Sequence, residues 1–202
     1  MRPGPEDRGA RGARPMELIG GLPYLVRQAD FDDAAGIGRV HVEVWRAAYS
    51  DILPDDYLSS LSDIRHSATW ADILDDRTRA GATFIAEAEE DGIVGFADCR
   101  IERAADDAKK GEVTAIYVLP SWQRRGMGSA LIEACAGHLA LESVQTLAIW
   151  VLELNREACE FYEALGGACA ESRQISFAGE KLTERCYRWD NVKALAGLGD
   201  EG

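Results

Sequence analysis

Basic side chains are in short supply. Lys and Arg number 22 against 35 Asp and Glu, a net charge of −13 at pH 7. A chain so balanced has no basic face to lay along phosphates, which excludes nucleic acid as a partner. Long apolar runs are lacking too. Stretches such as Thr146 to Leu154 fall far short of the ~20 residues of a membrane span, so no membrane association is expected. Histidine is limited to His41, His66 and His138, and the five cysteines form an odd number without a CxxC pair. Neither pattern has metal-ligand spacing or the form of a disulfide framework, so no metal is expected. No secretory apolar segment follows the N-terminus, which makes a reducing cytoplasm the expected compartment.

What the chain does hold is ordinary for a soluble domain: 202 residues, 47% hydrophobic and 28% charged, enough for one buried core. Met1 to Pro15 differs in kind, with three Pro, three Gly and four Arg and almost no apolar side chains. Such a stretch cannot offset its ordering entropy by burial. It reads as a disordered leader or an over-extended start with initiation at Met16, since Pro and Gly oppose the amphipathic helix of a mitochondrial presequence. Residues 1–20 are therefore expected to be a leader, 21–192 the folded domain and 193–202 a flexible tail.

Within the domain the periodicities alternate between strand and helix. Leu22 to Ala29 reads as a strand that ends at Asp30, a helix N-cap with Asp33 three residues on. The helix behind it carries Ile37, Val40 and Val44 on one face as far as about Tyr49. A second row, His41, Trp45 and Tyr49, is open to two readings, core packing or pocket lining. Pro54 opens a helical stretch from Asp55 to about Arg79, broken near Ser62. Ala82 to Ala88 and Ile93 to Arg100 form a hairpin around Asp91-Gly92. Glu112 to Leu119 is a strand closed by Pro120, and Gly128 to Glu142 a helix. The continuous apolar run Thr146 to Leu154 suits a strand buried on both faces. Asn155 to Leu165 is helical and stops at Gly166-Gly167. Gln174 to Phe177 and Leu182 to Trp189 close the domain as a hairpin. The order predicts an α/β (α+β) fold, a single domain with a mixed sheet flanked by helices.

The most informative segment is Gln123-Arg124-Arg125-Gly126-Met127-Gly128-Ser129-Ala130, between a strand and a helix. Glycines there let backbone N–H groups converge, and the helix dipole adds positive potential, so the loop can hold an anion such as pyrophosphate. Arg124 and Arg125 add full charges. A Walker loop is excluded because no lysine precedes Ser129, and a dinucleotide fingerprint fails because Leu131 stands where its third glycine would be.

Val118-Leu119-Pro120 followed by Gln123-Arg124-Arg125-Gly126-Met127-Gly128 resembles the acyl-CoA loop of the GNAT superfamily of N-acetyltransferases. Further on, Asn155-Arg156-Glu157-Ala158-Cys159-Glu160-Phe161-Tyr162 and Gly166 are similar to that family's second motif. Gly167 departs from it, since the family usually has an aromatic there, and the departure bears on packing. Together the motifs extend the resemblance over about Leu22 to Asp190. It implies a mostly antiparallel twisted sheet and an enzyme moving acetyl from acetyl-CoA to a primary amine by direct attack in a ternary complex. The acceptor would be a small molecule or a peptide amine, and many relatives are homodimers. The resemblance assigns the backbone of Ile116, Tyr117 and Val118, with a bulge amide, to the pantetheine arm and the acetyl carbonyl. It assigns Arg124, Arg125, Gly126, Met127, Gly128 and Ser129 to the pyrophosphate, and Asn155 to the pantetheine. Tyr162 would be the acid at the thioester sulfur and Glu112, reached through water, the base. The acceptor region would include Trp45, Tyr49, Asp51, Asp55 and Asp56. A non-catalytic acyl-CoA sensor of the same fold is the alternative that these residues leave open.

Overall fold

Helix starts are where local chemistry acts most directly. In the computed structural model, which describes residues 23–103 and 109–198, the Asp30 carboxylate accepts the Asp32 N–H at 3.0 Å and Asp33 accepts the Asp30 N–H at 2.8 Å. This reciprocal cap begins a 3-10 turn, Phe31–Asp33, that runs into α1, Ala34–Ala48. Arg27 clasps Asp33 through both terminal nitrogens, at 2.7 and 2.8 Å, and holds the Asp33 carboxyl below the usual range against the opposing effect of burial. The helical stretch after Pro54 divides into α2, Asp55–Ser60, and α3, Asp63–Asp75, with Ser62 accepting the Arg65 N–H as N-cap. The expected break at Ser62 is a cap.

Seven strands form one sheet: β1 Leu25–Gln28, β2 Gly81–Ala88, β3 Gly92–Arg103, β4 Lys109–Val118, β5 Thr146–Leu152, β6 Ala168–Phe177 and β7 Glu180–Trp189. Their spatial order is β1-β2-β3-β4-β5-β7-β6. Every neighbouring pair is antiparallel except β4 and β5. The β4–β5 crossover is α4, Met127–Leu141, and α5, Arg156–Ala164, links β5 to β6. The mixed, mostly antiparallel sheet flanked by helices that the sequence predicts is the observed fold.

Three elements differ from expectation. β5 is not buried on both faces: Leu147, Ile149 and Val151 are buried, whereas Ala148, Trp150 and Leu152 are half-buried. Its second face lines a cavity, so the apolar run serves a wall as well as the core. β6 begins at Ala168, six residues before Gln174. Its first seven side chains are all exposed, so the ladder to β7 forms without the alternation that marks a half-buried strand. Residue 193 does not begin a tail but lies in α6, Val192–Leu195, capped by Asn191, with Val192 buried. The leader 1–20 lies outside the described residues.

The row His41, Trp45 and Tyr49 splits between its two readings. His41 is packed inside, accepting the Trp70 indole N–H at 3.1 Å and stacking on Tyr117 with ring centroids 5.0 Å apart. Trp45 and Tyr49 line the cavity. A small second core, Val42, Tyr49, Leu53, Leu58, Leu61 and Leu182, ties α1 and α2 to the final hairpin.

A register shift interrupts β3–β4: Asp98 opposes Ala115 and Cys99 opposes Val113, which leaves Thr114 as the extra residue of a bulge. Asp98 is buried beneath it. Its carboxylate accepts the Thr114 and Thr83 hydroxyls and pairs with Arg79. Buried charge is thus matched and hydrogen-bonded.

Candidate active site

Parallel pairing between β4 and β5 runs only from Lys110–Thr146 to Val113–Ile149. Past the Thr114 bulge the strands part, and a cavity of about 890 Å³ opens between Thr114–Val118 and Trp150–Leu152. The bulge and the end of pairing fall at the same place. Alternation along β4 decides which backbone groups face the gap. The Leu119 N–H bonds to the Val94 carbonyl of β3, so Leu119, Tyr117 and Ala115 turn their polar groups to β3. Ile116 and Val118 turn theirs to the gap, and the Val118 carbonyl accepts the Gln123 side-chain amide at 3.0 Å. Tyr117 therefore departs from the expected backbone role and contributes its ring. The bulge lies at Thr114, ahead of Ile116, Tyr117 and Val118.

The loop before α4 carries two left-handed residues, Arg124 at φ 61° and Gly126 at φ 81°. Arginine gains nothing from that region sterically. A left-handed residue within a tight loop turns successive N–H groups to one side, the arrangement of an anion nest. Arg124, Gly126, Gly128 and Ser129 line the cavity. Two loop side chains are placed otherwise than expected. Arg125 lies over Trp122, its guanidinium carbon 4.8 Å from the ring centroid, and Met127 is 1% exposed in the core, so Met127 offers the site only its backbone. Gly128 has a packing reason besides: a Cβ there would stand 3.0 Å from the Phe161 ring. A Cβ at Gly167 would meet Trp189 at 2.6 Å, so the aromatic that the second motif lacks is supplied by β7.

Asn155 caps α5 by accepting the Ala158 N–H at 3.2 Å, which leaves its amide N–H₂ toward the cavity and the Tyr49 hydroxyl. Tyr162, about two turns further along α5, is 5% exposed and lines the same cavity. Burial, and secondarily the nearby Tyr49 phenol, pushes its pKa well above that of a free phenol. Tyr162 is therefore a neutral O–H donor throughout the working pH range.

The other half of the cavity is walled by Trp45, Tyr49, Leu53 and Phe177 on one side and by Glu112, Trp150, Arg173 and Glu184 on the other. The Trp45 indole nitrogen is buried with no partner among the described residues. Glu112 accepts two bonds from Arg100, at 2.6 and 2.9 Å, on one carboxylate oxygen. Asp51 and Asp55 lie at a separate shallow depression with Glu180, and Asp56 is exposed, so these acids stand outside the cavity. Sequence reasoning missed Trp150, Arg173 and Glu184. For Arg173 the period-2 spacing with Ile175 and Phe177 is a signal; that spacing says nothing of Trp150 on β5 or Glu184 on β7. Among the described residues no His, Cys, Asp and Glu side chains cluster as a metal site would require, and no helix is long and apolar enough to cross a membrane.

The Acetyltransferase (GNAT) family model matches residues 43–167, from α1 through the glycine after α5. An uncharacterized N-acetyltransferase, YuaI, from Bacillus subtilis is 33% identical over 173 residues, 86% of this chain and 96% of its own. A mycothiol acetyltransferase of Kocuria rhizophila is 29% identical over 165 residues, covering 79% of this chain and 51% of its own. The crystal structure of the PaiA N-acetyltransferase of Thermoplasma acidophilum in complex with coenzyme A superposes with a TM-score of 0.64. It covers 81% of this chain and 98% of that one, a likeness of fold at 16% identity. A strand pair parted at a bulge, a left-handed loop capping the crossover helix and a family match spanning both have one reading: the chain belongs to the GNAT family of acetyltransferases.

Proposed function

We propose that the protein transfers the acetyl group of acetyl-CoA to a primary amine by direct attack, with both substrates bound in the parted strands. The observation that carries this reading is the continuity of the cavity, from the Arg124–Ser129 loop past Tyr162 to a second chamber walled by Trp45, Phe177 and Glu112. The loop N–H groups and Arg124 receive the pyrophosphate. The gap-facing backbone of Ile116 and Val118 and the Asn155 amide receive the pantetheine, laid in as the strand that β4 lacks. An N–H of that edge polarises the thioester carbonyl and holds the oxyanion.

The neutral amine nitrogen then attacks the carbonyl carbon. As the tetrahedral intermediate collapses, the C–N bond is kept and the C–S bond breaks. Glu112 has taken the ammonium proton through water before the attack; the departing thiolate takes the Tyr162 phenolic proton, and the proton that nitrogen loses on collapse returns to the Tyr162 phenolate. The products are the acetamide and CoA thiol. The test is a thiol-release assay with acetyl-CoA against polyamines, aminoglycosides, amino acids and peptide N-termini, beside calorimetric binding of acetyl-CoA. Release with one class supports the reading. Tight binding without release from any amine leaves a binding protein instead.

A further inference from the structure

Of the residues lining the cavity, two are cationic: Arg124 at the loop and Arg173 in the far chamber. Arg173 is held in two places, over an aromatic ring and at Nε, and is left open at its terminal nitrogens. Its guanidinium carbon lies over the Trp150 ring, 3.9 Å from the centroid. Its Nε donates to Glu184 at 2.7 Å, from the position directly opposite on β7. Its two terminal nitrogens have no protein partner among the described residues, and the side chain is about half exposed at 52%. Stacking and the Nε bond fix the plane of the fork, so little rotamer freedom is left to lose when the open edge takes a ligand. A fork fixed in this way fits a carboxylate, two parallel N–H donors on two oxygens.

Glu112 is in register with Ala148, and Trp150 follows two residues later on the same face, on the order of 7 Å along the strand. The open fork and the proposed base thus share one chamber. Arg100 pairs with Glu112 and Arg173 with Glu184, so the carboxylates of that wall present little net negative charge with which to select a polycation.

Resting on the acetyl-transfer reading above, we propose that the acceptor is an amine that also bears a carboxylate, of the amino-acid class, and that Arg173 is the residue that selects it. The Arg173 fork takes the acceptor carboxylate and presents the amine to the thioester.

The experiment compares kcat/KM for alanine with ethylamine, phenylalanine with phenethylamine, and lysine with 1,5-diaminopentane. Each pair differs by the carboxylate alone. In at least one pair the amino acid is favoured by about 10- to 100-fold, the worth of charge-assisted hydrogen bonds. Arg173→Gln brings that ratio close to one, and Arg173→Lys, a charge without the fork, falls between. The acetyl-CoA dissociation constant stays the same in both variants. Calorimetry with N-acetylphenylalanine and N-acetylphenethylamine reads the same preference without turnover, so a failure of catalysis is distinguishable from a failure of this assignment. Amines preferred over their amino acids, a preference that survives Arg173→Gln, or no tighter binding of the carboxylate product would each overturn it.

Discussion

At the scale of single residues, Tyr162 and Glu112 make opposite demands on their surroundings. A proton donor to a thiolate must be protonated, which burial of the Tyr162 phenol with Tyr49 nearby ensures by raising its pKa, although the same shift makes the phenol a weaker acid. Tyr162→Phe keeps the ring packed between Phe161 and Tyr187 and removes only the hydroxyl. Turnover should fall by about 10²–10⁴-fold with acetyl-CoA affinity little changed. Because the raised pKa keeps the phenol protonated, the loss should be uniform from pH 6 to 9. Retention of near-full kcat, or a loss of affinity in proportion to rate, would remove Tyr162 from the acid role. A base behaves otherwise. Glu112→Gln should slow the reaction much more at pH 6 than at pH 9, where free amine is already plentiful. A mutant-to-wild-type ratio that is flat in pH would send the proton to another acceptor. Because Glu112 also accepts from Arg100, circular dichroism should accompany this variant to show the sheet intact.

Elements set the shape in which those residues act. The bulge at Thr114 lies one residue beyond the last β4–β5 pair, and its hydroxyl is fastened to the buried Asp98 carboxylate beside Arg79 and Thr83. Thr114→Val has nearly the same shape and deletes that bond. It should lower stability by about 1–3 kcal/mol and weaken acetyl-CoA binding severalfold, while Thr114→Ser restores both. Unaltered acetyl-CoA affinity in a destabilised Thr114→Val protein would confine the hydroxyl to a structural role. The elements also show where sequence patterns inform. The Asp30 cap, the break at Ser62 and the Asp91-Gly92 turn were legible because their chemistry is local, whereas the cap that Ser62 supplies to α3 came from the structure. β6 was half-hidden because an edge strand with exposed side chains needs only the β7 ladder. The splitting of β5 into a core face and a cavity face was hidden as well, since both uses accept apolar residues.

For the whole molecule, acid is the condition under which the packing shows. His41 sits between α1 and α3 against Trp70, Phe96 and Tyr117, and burial, with His66 nearby, lowers its pKa to about 4. The unfolded chain takes up that proton near pH 6.5 and the folded chain only near pH 4, so stability is lost as pH falls across this window. The loss amounts to up to about 3 kcal/mol. The depressed Asp33 carboxyl adds its own loss lower still, on the acid side of the ordinary carboxylate range. Urea midpoints at pH 7.5 and pH 4.5 measure the first step, and His41→Gln, which cannot titrate, should show a smaller drop between them. An equal drop in both proteins would place the acid sensitivity elsewhere.

Most of the elements, their order, the loop from Gln123 to Ser129 and the helix carrying Asn155 and Tyr162 were legible in the residues alone, because spacing and glycine placement are properties of adjacent residues; α6 and the first half of β6 were not. Tertiary structure decided the rest. Whether Tyr117 gives backbone or ring follows from the register with β3. Whether Arg125 faces an anion or Trp122 follows from where the 3-10 turn Pro120–Trp122 sets that indole. Glu112 of β4 and Arg173 of β6 line one cavity because, in the order β4-β5-β7-β6, the Arg173 side chain reaches across β7 to Trp150 of β5. Residues 61 positions apart meet through that strand order, and no local pattern encodes a strand's neighbour.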